Sequence, residues 1–294
     1  MEIVRTVAEL RAWSRTERSK GQTAGLVPTM GALHAGHASL IEAAARSCGR
    51  VAVSIFVNPT QFGPSEDFAR YPRSFEADCK LAEAAGAHVV LAPSVEEMYP
   101  GTNGGGPGTA TFIEVSTLSD RLDGKSRPGH FRGVATVVAK LLIASEADRA
   151  FFGQKDAAQV AVLRRMVEDL RIGTEIVVCP IVREADGLAL SSRNVYLTEA
   201  QRRQALVLSR SVRAVERLAA AGERRAEALV AAARAVISEE PEVRVDYVEV
   251  VDWGTLQPVE LARPGTLFAV AAWVGATRLI DNSVLQRQVD HRSL

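Results

Sequence analysis

Residues 51–57 form the segment that most restricts how this chain can fold. They read VAVSIFV, with Ser54 as the only polar residue among them. A strand with one solvated face alternates polar and apolar residues, so an almost unbroken apolar strand is typical of a parallel sheet covered on both faces. Apolar residues recur at helical spacing before and after it, over residues 40–48 and 72–85.

The same alternation of strands and helices continues to about residue 182. Further strand-like segments and helical stripes follow in turn, with strands at 25–28, 87–91, 149–152 and 175–179 and helices at 131–142 and 160–170. A regular β-α-β-α order favours a Rossmann-like, doubly wound parallel sheet. We therefore predict an α/β fold whose first domain spans residues 1–182.

The pattern of strands and helices changes after about residue 182. Two Ala- and Arg-rich helical stretches fill residues 199–239, and residues 243–247 then alternate apolar and charged side chains. Another apolar strand is predicted at 267–274. Helices followed by strands indicate a smaller α+β domain over residues 183–294. The low-complexity stretch GTNGGGPG at 101–108 favours a surface loop, with an active-site flap as the alternative.

Charge and composition exclude several classes of protein. Lys+Arg and Asp+Glu both number 35, so no overall field attracts nucleic acid or an anionic membrane. The N-terminal residues do not resemble a signal peptide, and no window is apolar for long enough to span a membrane. Three widely spaced cysteines match neither a zinc site nor a disulfide framework. We expect a cytoplasmic protein with no nucleic-acid or membrane partner.

Two histidines mark the strongest local motif, PTMGALHAGH at residues 28–37. A predicted strand ends there and a helix begins near Gly36, and the N–H groups at the start of a helix suit a phosphate. His34 and His37 can both face the same anion. They can also cap the helix or ligate a metal, and the glycines can simply form a turn. The position between strand and helix favours the phosphate interpretation.

Two later segments carry cationic and hydroxyl groups. FFGQKDAAQ at residues 151–159 again joins a strand to a helix, and Lys155 can reach a phosphate. Asp156 and Gln159 have the spacing of a capping box, and the segment taken alone favours this structural interpretation, although one residue can also serve both purposes. In SSRN at residues 191–194, two hydroxyls and a guanidinium suit a polyphosphate, although the segment alone is only a polar turn.

Another predicted loop lies at the carboxyl edge of the sheet. Asn58 and Gln61 follow the apolar strand directly, where folds of this class bind their ligands. A basic turn, GKSRPGHF at residues 124–131, precedes the next helix and equally fits a solvated loop.

Together these segments resemble the pantoate–β-alanine ligase family. The matching motifs occur in the family's order over about residues 25–282: PTMGALHAGH, SIFVNPTQF, YPR, GKSRPGHFRGV, FFGQKDAAQ, VREADGLALSSRN and TRLIDN. The resemblance implies ATP-dependent condensation of pantoate with β-alanine to give pantothenate, AMP and pyrophosphate through pantoyl adenylate. It also implies Mg²⁺ bridging the ATP phosphates, a C-terminal domain that acts as a lid, and a homodimer.

The resemblance further implies the roles of individual residues. His37, His34, Lys155 and Arg193 would act on the phosphates, and His37 matches the family's proton donor. The nucleotide site would comprise Met30, Gly31, His34, Gly36, His37, Gly153, Gln154, Lys155, Asp156, Val182, Leu190, Ser191, Ser192 and Arg193. The remaining site residues would be Gln61 and Gln159 on pantoate, Gln61 also on β-alanine, Asn58 in the same pocket, and Asp78 as an outer ligand of Mg²⁺.

Two other functions compete with this one. A related enzyme could join AMP to a phosphate instead of a carboxylate, and a non-catalytic relative could keep the fold as a nucleotide sensor. A sensor would be expected to lose contacts to the triphosphate. Because His34, His37, Lys155 and Arg193 are all present, the sequence favours an enzyme.

Overall fold

The chain forms two compact units, Met1–Val182 and Arg183–Leu294. The computed structural model describes residues 1–63, 67–101 and 109–286. Residues 102–108 of the low-complexity loop predicted at 101–108 lie outside the described residues.

Six parallel strands build the sheet of the first unit. They are β1 (Glu2–Val4), β2 (Ala24–Thr29), β3 (Arg50–Ile55), β4 (Val89–Leu91), β5 (Arg149–Gly153) and β6 (Glu175–Cys179). Their order across the sheet is β1-β4-β3-β2-β5-β6, and every pairing is parallel. The predicted doubly wound parallel sheet is confirmed.

The strand order creates a switch point between β2 and β5. From β2 the chain proceeds to β3 and β4 on one side, whereas β5 and β6 lie on the other side. Helices that follow neighbouring strands therefore diverge to opposite faces, and a crevice opens at the carboxyl ends of β2 and β5. Folds of this class bind their ligands at such a point.

Helices cover both faces of the sheet. They are α1 (Val7–Ser19), α2 (Ala35–Ser47), α3 (Phe75–Ala84), α4 (Val95–Met98), α5 (Asp123–Ser126), α6 (His130–Ser145) and α7 (Ala157–Asp169). Residues 51–54 of β3 are buried, as the apolar run predicted. Helix α6 buries most of its length, which explains why its sequence is apolar well beyond one stripe.

The second unit is an α+β structure, as predicted. Its helices are α8 (Glu199–Ala220) and α9 (Ala226–Ile237), and its strands are β7 (Val243–Asp252), β8 (Thr266–Val274) and β9 (Thr277–Val284). The strands form an antiparallel sheet in the order β7-β8-β9. Apolar side chains of both helices and all three strands share one core, with Leu208, Leu229 and Phe268 fully buried in it. Its role as a lid stays a prediction.

Cys48, Cys79 and Cys179 are free, and burial raises the pKa of each thiol. Within the described residues, no helix has the length and apolarity needed to cross a membrane.

Candidate active site

Three loops meet at the switch point of the first unit. Residues 30–34 follow β2, the 3-10 helix Pro59–Gln61 follows β3, and the 3-10 helix Gln154–Asp156 follows β5. Because β3, β2 and β5 are neighbours in the sheet, their carboxyl ends lie side by side. The sequence predicted that these three loops carry the histidines, the amides and Lys155 of the site. The sheet therefore brings the three loops together.

A buried carboxylate holds the loop after β2 in shape. Gly31 and Ala32 have φ angles of 80° and 49°, and the second of these is unfavourable for a residue with a side chain. The Asp78 oxygens accept from Ala32 N at 2.9 Å and from Leu33 N at 2.8 Å. Asp78 also accepts from the Ser74 hydroxyl at 3.0 Å. These bonds offset the strain, so the loop keeps its bend without a ligand.

The carboxylate of Asp78 is thus engaged by three donors of the protein itself. Its predicted role as an outer Mg²⁺ ligand stays a prediction, and its position as the anchor of the loop is the role that its contacts support. Among the described residues, no group of three or more His, Cys, Asp or Glu side chains is placed to hold a metal ion. The metal alternative for the two histidines gains no support.

His34 and His37 together cap helix α2. His34 Nδ1 accepts from Gly36 N at 3.1 Å, and His37 Nδ1 accepts from His34 N at 3.3 Å. The rings lie 4.1 Å apart between centroids. Since both Nδ1 atoms act as acceptors, each neutral ring carries its proton on Nε2. The capping and phosphate interpretations are therefore compatible, because capping uses one nitrogen and places an Nε2–H donor on the other side of each ring.

The electrostatic surroundings keep His37 uncharged. Burial, reinforced by the adjacent His34 ring and by the positive charge of Lys155, lowers the pKa of His37 from about 6.5 to about 3. Without a ligand, this imidazole is neutral at pH 7 and offers a hydrogen bond rather than a proton. A bound phosphate would raise its pKa, since a nearby negative charge favours the charged ring. The proton-donor role stays a prediction that depends on such a ligand.

The lowered pKa of His37 predicts an acid-sensitive fold. Above about pH 6.5 the ring is neutral in both the folded and unfolded states, whereas between about pH 6.5 and 3 only the unfolded chain is protonated. Stability falls through that window, by up to about 1.4 kcal/mol per pH unit for this group. Urea unfolding of wild type and His37→Gln at pH 7, 6, 5 and 4 measures it. As the pH falls, the free energy of unfolding of the wild type should decrease more than that of the variant. Equal decreases in the two proteins would contradict the lowered pKa of His37.

Lys155 and Asp156 lie beside this pair. Their charges both act on the pKa of His37, and Lys155 Nζ lies 3.4 Å from the Asp156 carboxylate. Asp156 is the N-cap of α7 but makes no side-chain hydrogen bond to it, so the capping-box alternative is wrong. Its φ and ψ of −95° and 53° are outside the extended region typical of such a cap. Gln159 is partly buried in the first turn of α7.

The amides after β3 contact the loop that follows β2. Gln61 Nε2 lies 3.1 Å from Met30 Sδ, and Asn58 Nδ2 donates to Gln61 Oε1 at 3.0 Å. Both side chains are buried. The structure therefore joins residues expected to meet pantoate with residues expected to meet ATP.

The remaining predicted site residues belong to the end of the first unit and to the second. Val182 is partly buried at the end of the first unit, and Leu190 precedes the SSR segment. Ser191 caps the 3-10 helix Ser192–Tyr196, accepting from Arg193 N at 3.3 Å. Asn194 donates to Glu184 at 2.8 Å, which fixes the segment to the preceding turn.

Comparison with known proteins decides the family. The family model for pantoate-beta-alanine ligase matches residues 2–284. A pantothenate synthetase of Koribacter versatilis is 57% identical over 286 residues, covering 97% of this chain and 96% of that protein. The chain belongs to the pantoate-beta-alanine ligase family. The ligase is thus an enzyme that forms an amide bond.

Solved structures agree with the fold of the ligase. The crystal structure of pantothenate synthetase from Thermus thermophilus has a TM-score of 0.90 and 44% identity, covering 98% of this chain and 100% of that one. A ligase from Francisella tularensis, crystallised with β-γ ATP and β-alanine, has a TM-score of 0.77 and 33% identity, covering 97% of both chains.

Sequence reasoning missed several residues that support the site. Tyr99 donates to Asn58 Oδ1 at 2.7 Å, and His130 Nδ1 donates to the Gln61 carbonyl at 2.8 Å. His130 lies in the GKSRPGHF motif, which the ligase resemblance marked without a role. Tyr99 carries no local signal, because its contact depends on a residue 41 positions away.

Proposed function

We propose that this ligase condenses pantoate with β-alanine in an ATP-dependent reaction that gives pantothenate, AMP and pyrophosphate through pantoyl adenylate. The observation that carries the proposal is the meeting of three loops at the β2–β5 switch point. His34, His37 and Lys155 lie close together, and the buried amide of Gln61 contacts Met30 of the same loop as the histidines. Donors suited to a triphosphate thus adjoin a donor suited to a small hydroxy acid.

In the first step a pantoate carboxylate oxygen attacks the α-phosphorus of ATP. The bond from the α-phosphorus to the bridging oxygen breaks, and pyrophosphate leaves with the electron pair. The Nε2–H groups of His34 and His37 and the ammonium of Lys155 meet the phosphate oxygens. In this proposal Ser191, Ser192 and Arg193 add further contacts to the triphosphate. Preorganised donors of this kind stabilise charge that develops in the transition state.

In the second step the amine of β-alanine attacks the acyl carbon of the adenylate. The carbon–oxygen bond to AMP breaks, AMP leaves, and the amine loses its proton. The activated acyl group is held on the substrate, so neither step requires a covalent bond to the protein. The demands on the site are alignment of the reactants and neutralisation of charge, and its donors suit both.

Pantoate is assigned to the amides at the carboxyl edge of the sheet. Gln61 and Gln159 bind it, Gln61 also meets β-alanine, and Asn58 completes the pocket. Gly153, Gln154 and the loop from Met30 line the nucleotide. Mg²⁺ bound with ATP would neutralise charge on the phosphates, and no protein ligand is assigned to the metal because the Asp78 oxygens already accept from the loop.

Isotope transfer tests the reaction type. With pantoate labelled with ¹⁸O in its carboxylate, one labelled oxygen should appear in AMP, because that oxygen forms the bond to the α-phosphorus. Mass spectrometry of the nucleotide product measures it, and unlabelled pantoate in ¹⁸O-water is the control. Formation of ADP with label in inorganic phosphate would establish an acyl-phosphate mechanism instead and contradict the proposal.

The ligase is further proposed to act in the cytoplasm as a homodimer. The three free cysteines suit a reducing compartment, and the homodimer is the state that the family resemblance implies. Sedimentation equilibrium tests the dimer, since a single species at the mass of one chain over a wide concentration range would contradict it.

A further inference from the structure

Two backbone groups and two hydroxyls together fix the orientation of the Asn58 amide. The Thr60 N–H, which can only donate, lies 3.4 Å from Oδ1, and the Gly133 carbonyl, which can only accept, lies 3.2 Å from Nδ2. The hydroxyls of Tyr99 and Thr60 donate to the same Oδ1 at 2.7 and 2.9 Å. Asn58 and Tyr99 are 1% and 0% exposed. Turning the amide over would leave buried polar groups facing like groups.

A glycine in α6 makes this arrangement possible. A Cβ at Gly133 would overlap the backbone of Thr60 and Gln61. Without a side chain there, α6 approaches the 3-10 helix Pro59–Gln61 closely enough for its carbonyl to reach Asn58.

The orientation of the Asn58 amide determines which way the amide oxygen and nitrogen of Gln61 face. Asn58 Nδ2 donates to Gln61 Oε1 at 3.0 Å, so this oxygen already has a partner. The Gln61 Nε2 group lies 3.1 Å from Met30 Sδ, and a thioether is only a weak acceptor. An oxygen atom of a substrate is a better acceptor for Nε2. Gln61 therefore presents its Nε2 donor to its ligand.

We propose that Tyr99 is a positioning residue that acts through Asn58 to hold Gln61 as a hydrogen-bond donor toward an oxygen of the hydroxy-acid substrate. The inference rests on the proposed binding of pantoate at Gln61. Burial raises the pKa of Tyr99, which keeps its hydroxyl a donor. Lys140 Nζ donates to the Met98 carbonyl at 2.6 Å and lies 4.2 Å from the centre of the Tyr99 ring, which fixes the ring.

Steady-state kinetics of Tyr99→Phe test the proposal, since this change removes only the hydroxyl. Loss of one buried hydrogen bond to the amide is expected to raise KM for pantoate by roughly tenfold. KM for ATP should stay within about twofold, because the change reaches the site through Gln61. Tyr247→Phe is the matched control, a buried tyrosine of the second unit. An unchanged KM for pantoate, or equal rises for both substrates, would overturn the inference.

A double variant tests whether the effect travels through Gln61. Gln61→Met keeps the size of the side chain and removes both amide groups. In that background Tyr99→Phe should have no further effect on KM for pantoate; an undiminished tenfold rise would overturn the relay. If Gln61→Met itself leaves pantoate kinetics unchanged, the pantoate site and the relay both fail. If Gln61→Met has an effect and Tyr99→Phe has none, only the relay fails.

Discussion

We expect Lys155→Ala to lower the turnover number of the ligase by about 100- to 1,000-fold, the usual cost of removing one preorganised donor from a developing charge. Lys155 lies beside His37, whose pKa it helps to lower. The loss should persist at saturating ATP, because the ammonium acts on charge that grows during the reaction. Initial rates of AMP formation measure the effect.

Lys80→Ala is the matched control for this experiment. Lys80 lies on α3, outside the loops that form the site, and its removal should leave turnover unchanged. His37→Leu should resemble Lys155→Ala, whereas His37→Gln should retain part of the activity because its amide can replace the Nε2–H donor. Near-normal turnover of both Lys155→Ala and His37→Leu, with folded protein by circular dichroism, would show that the phosphates bind elsewhere.

We expect Asp281→Ala to destabilise the second unit by about 3 kcal/mol, because it leaves a partly buried guanidinium without the carboxylate that it pairs with. Arg183 donates to Asp281 through Nη1 at 2.6 Å and Nη2 at 2.9 Å, and the Asp281 side chain is 2% exposed. The pair joins the VREADG segment to the TRLIDN strand. It thereby explains why two motifs far apart in sequence belong together.

Urea unfolding measures this prediction. In a Trp13→Phe background, Trp253 and Trp273 report fluorescence from the second unit alone. Glu199→Ala is the control, since its i,i+4 pair with Arg203 has side chains 89% and 66% exposed and contributes at most about 0.5 kcal/mol. Arg183→Met with Asp281→Leu should recover much of the stability, because an apolar pair needs no counter-charge. A double variant no more stable than Asp281→Ala would contradict this account.

The sequence was sufficient for the parallel sheet because its strands are apolar on both faces. β3, β5 and β6 lie where their apolar runs placed them, and their parallel arrangement follows from the β-α-β rhythm. β1 and β9 were not predicted as strands. β1 has only three residues, and β9 carries Arg278, Asp281 and other polar side chains that hide its period.

At the site, local motifs predicted which loops carry donors but not how the donors are oriented. The spacing of His34 and His37 indicated a shared anion. Only the folded structure shows that both Nδ1 atoms accept from backbone N–H groups. This arrangement leaves Nε2 as the donor of each ring. Asp156 shows that a local motif can also mislead. Its spacing to Gln159 is that of a capping box, but the side chain of Asp156 makes no hydrogen bond to the helix.

The anchoring of the β2 loop by Asp78 has a consequence for protein engineering. The decapeptide PTMGALHAGH does not determine its own conformation. The Asp78 carboxylate that binds Ala32 N and Leu33 N lies 46 and 45 positions downstream of these residues. Grafting the decapeptide into another α/β scaffold would transfer the histidines without their geometry. A transferable version of this loop must include the first turn of α3, placed so that its aspartate accepts from the two backbone N–H groups.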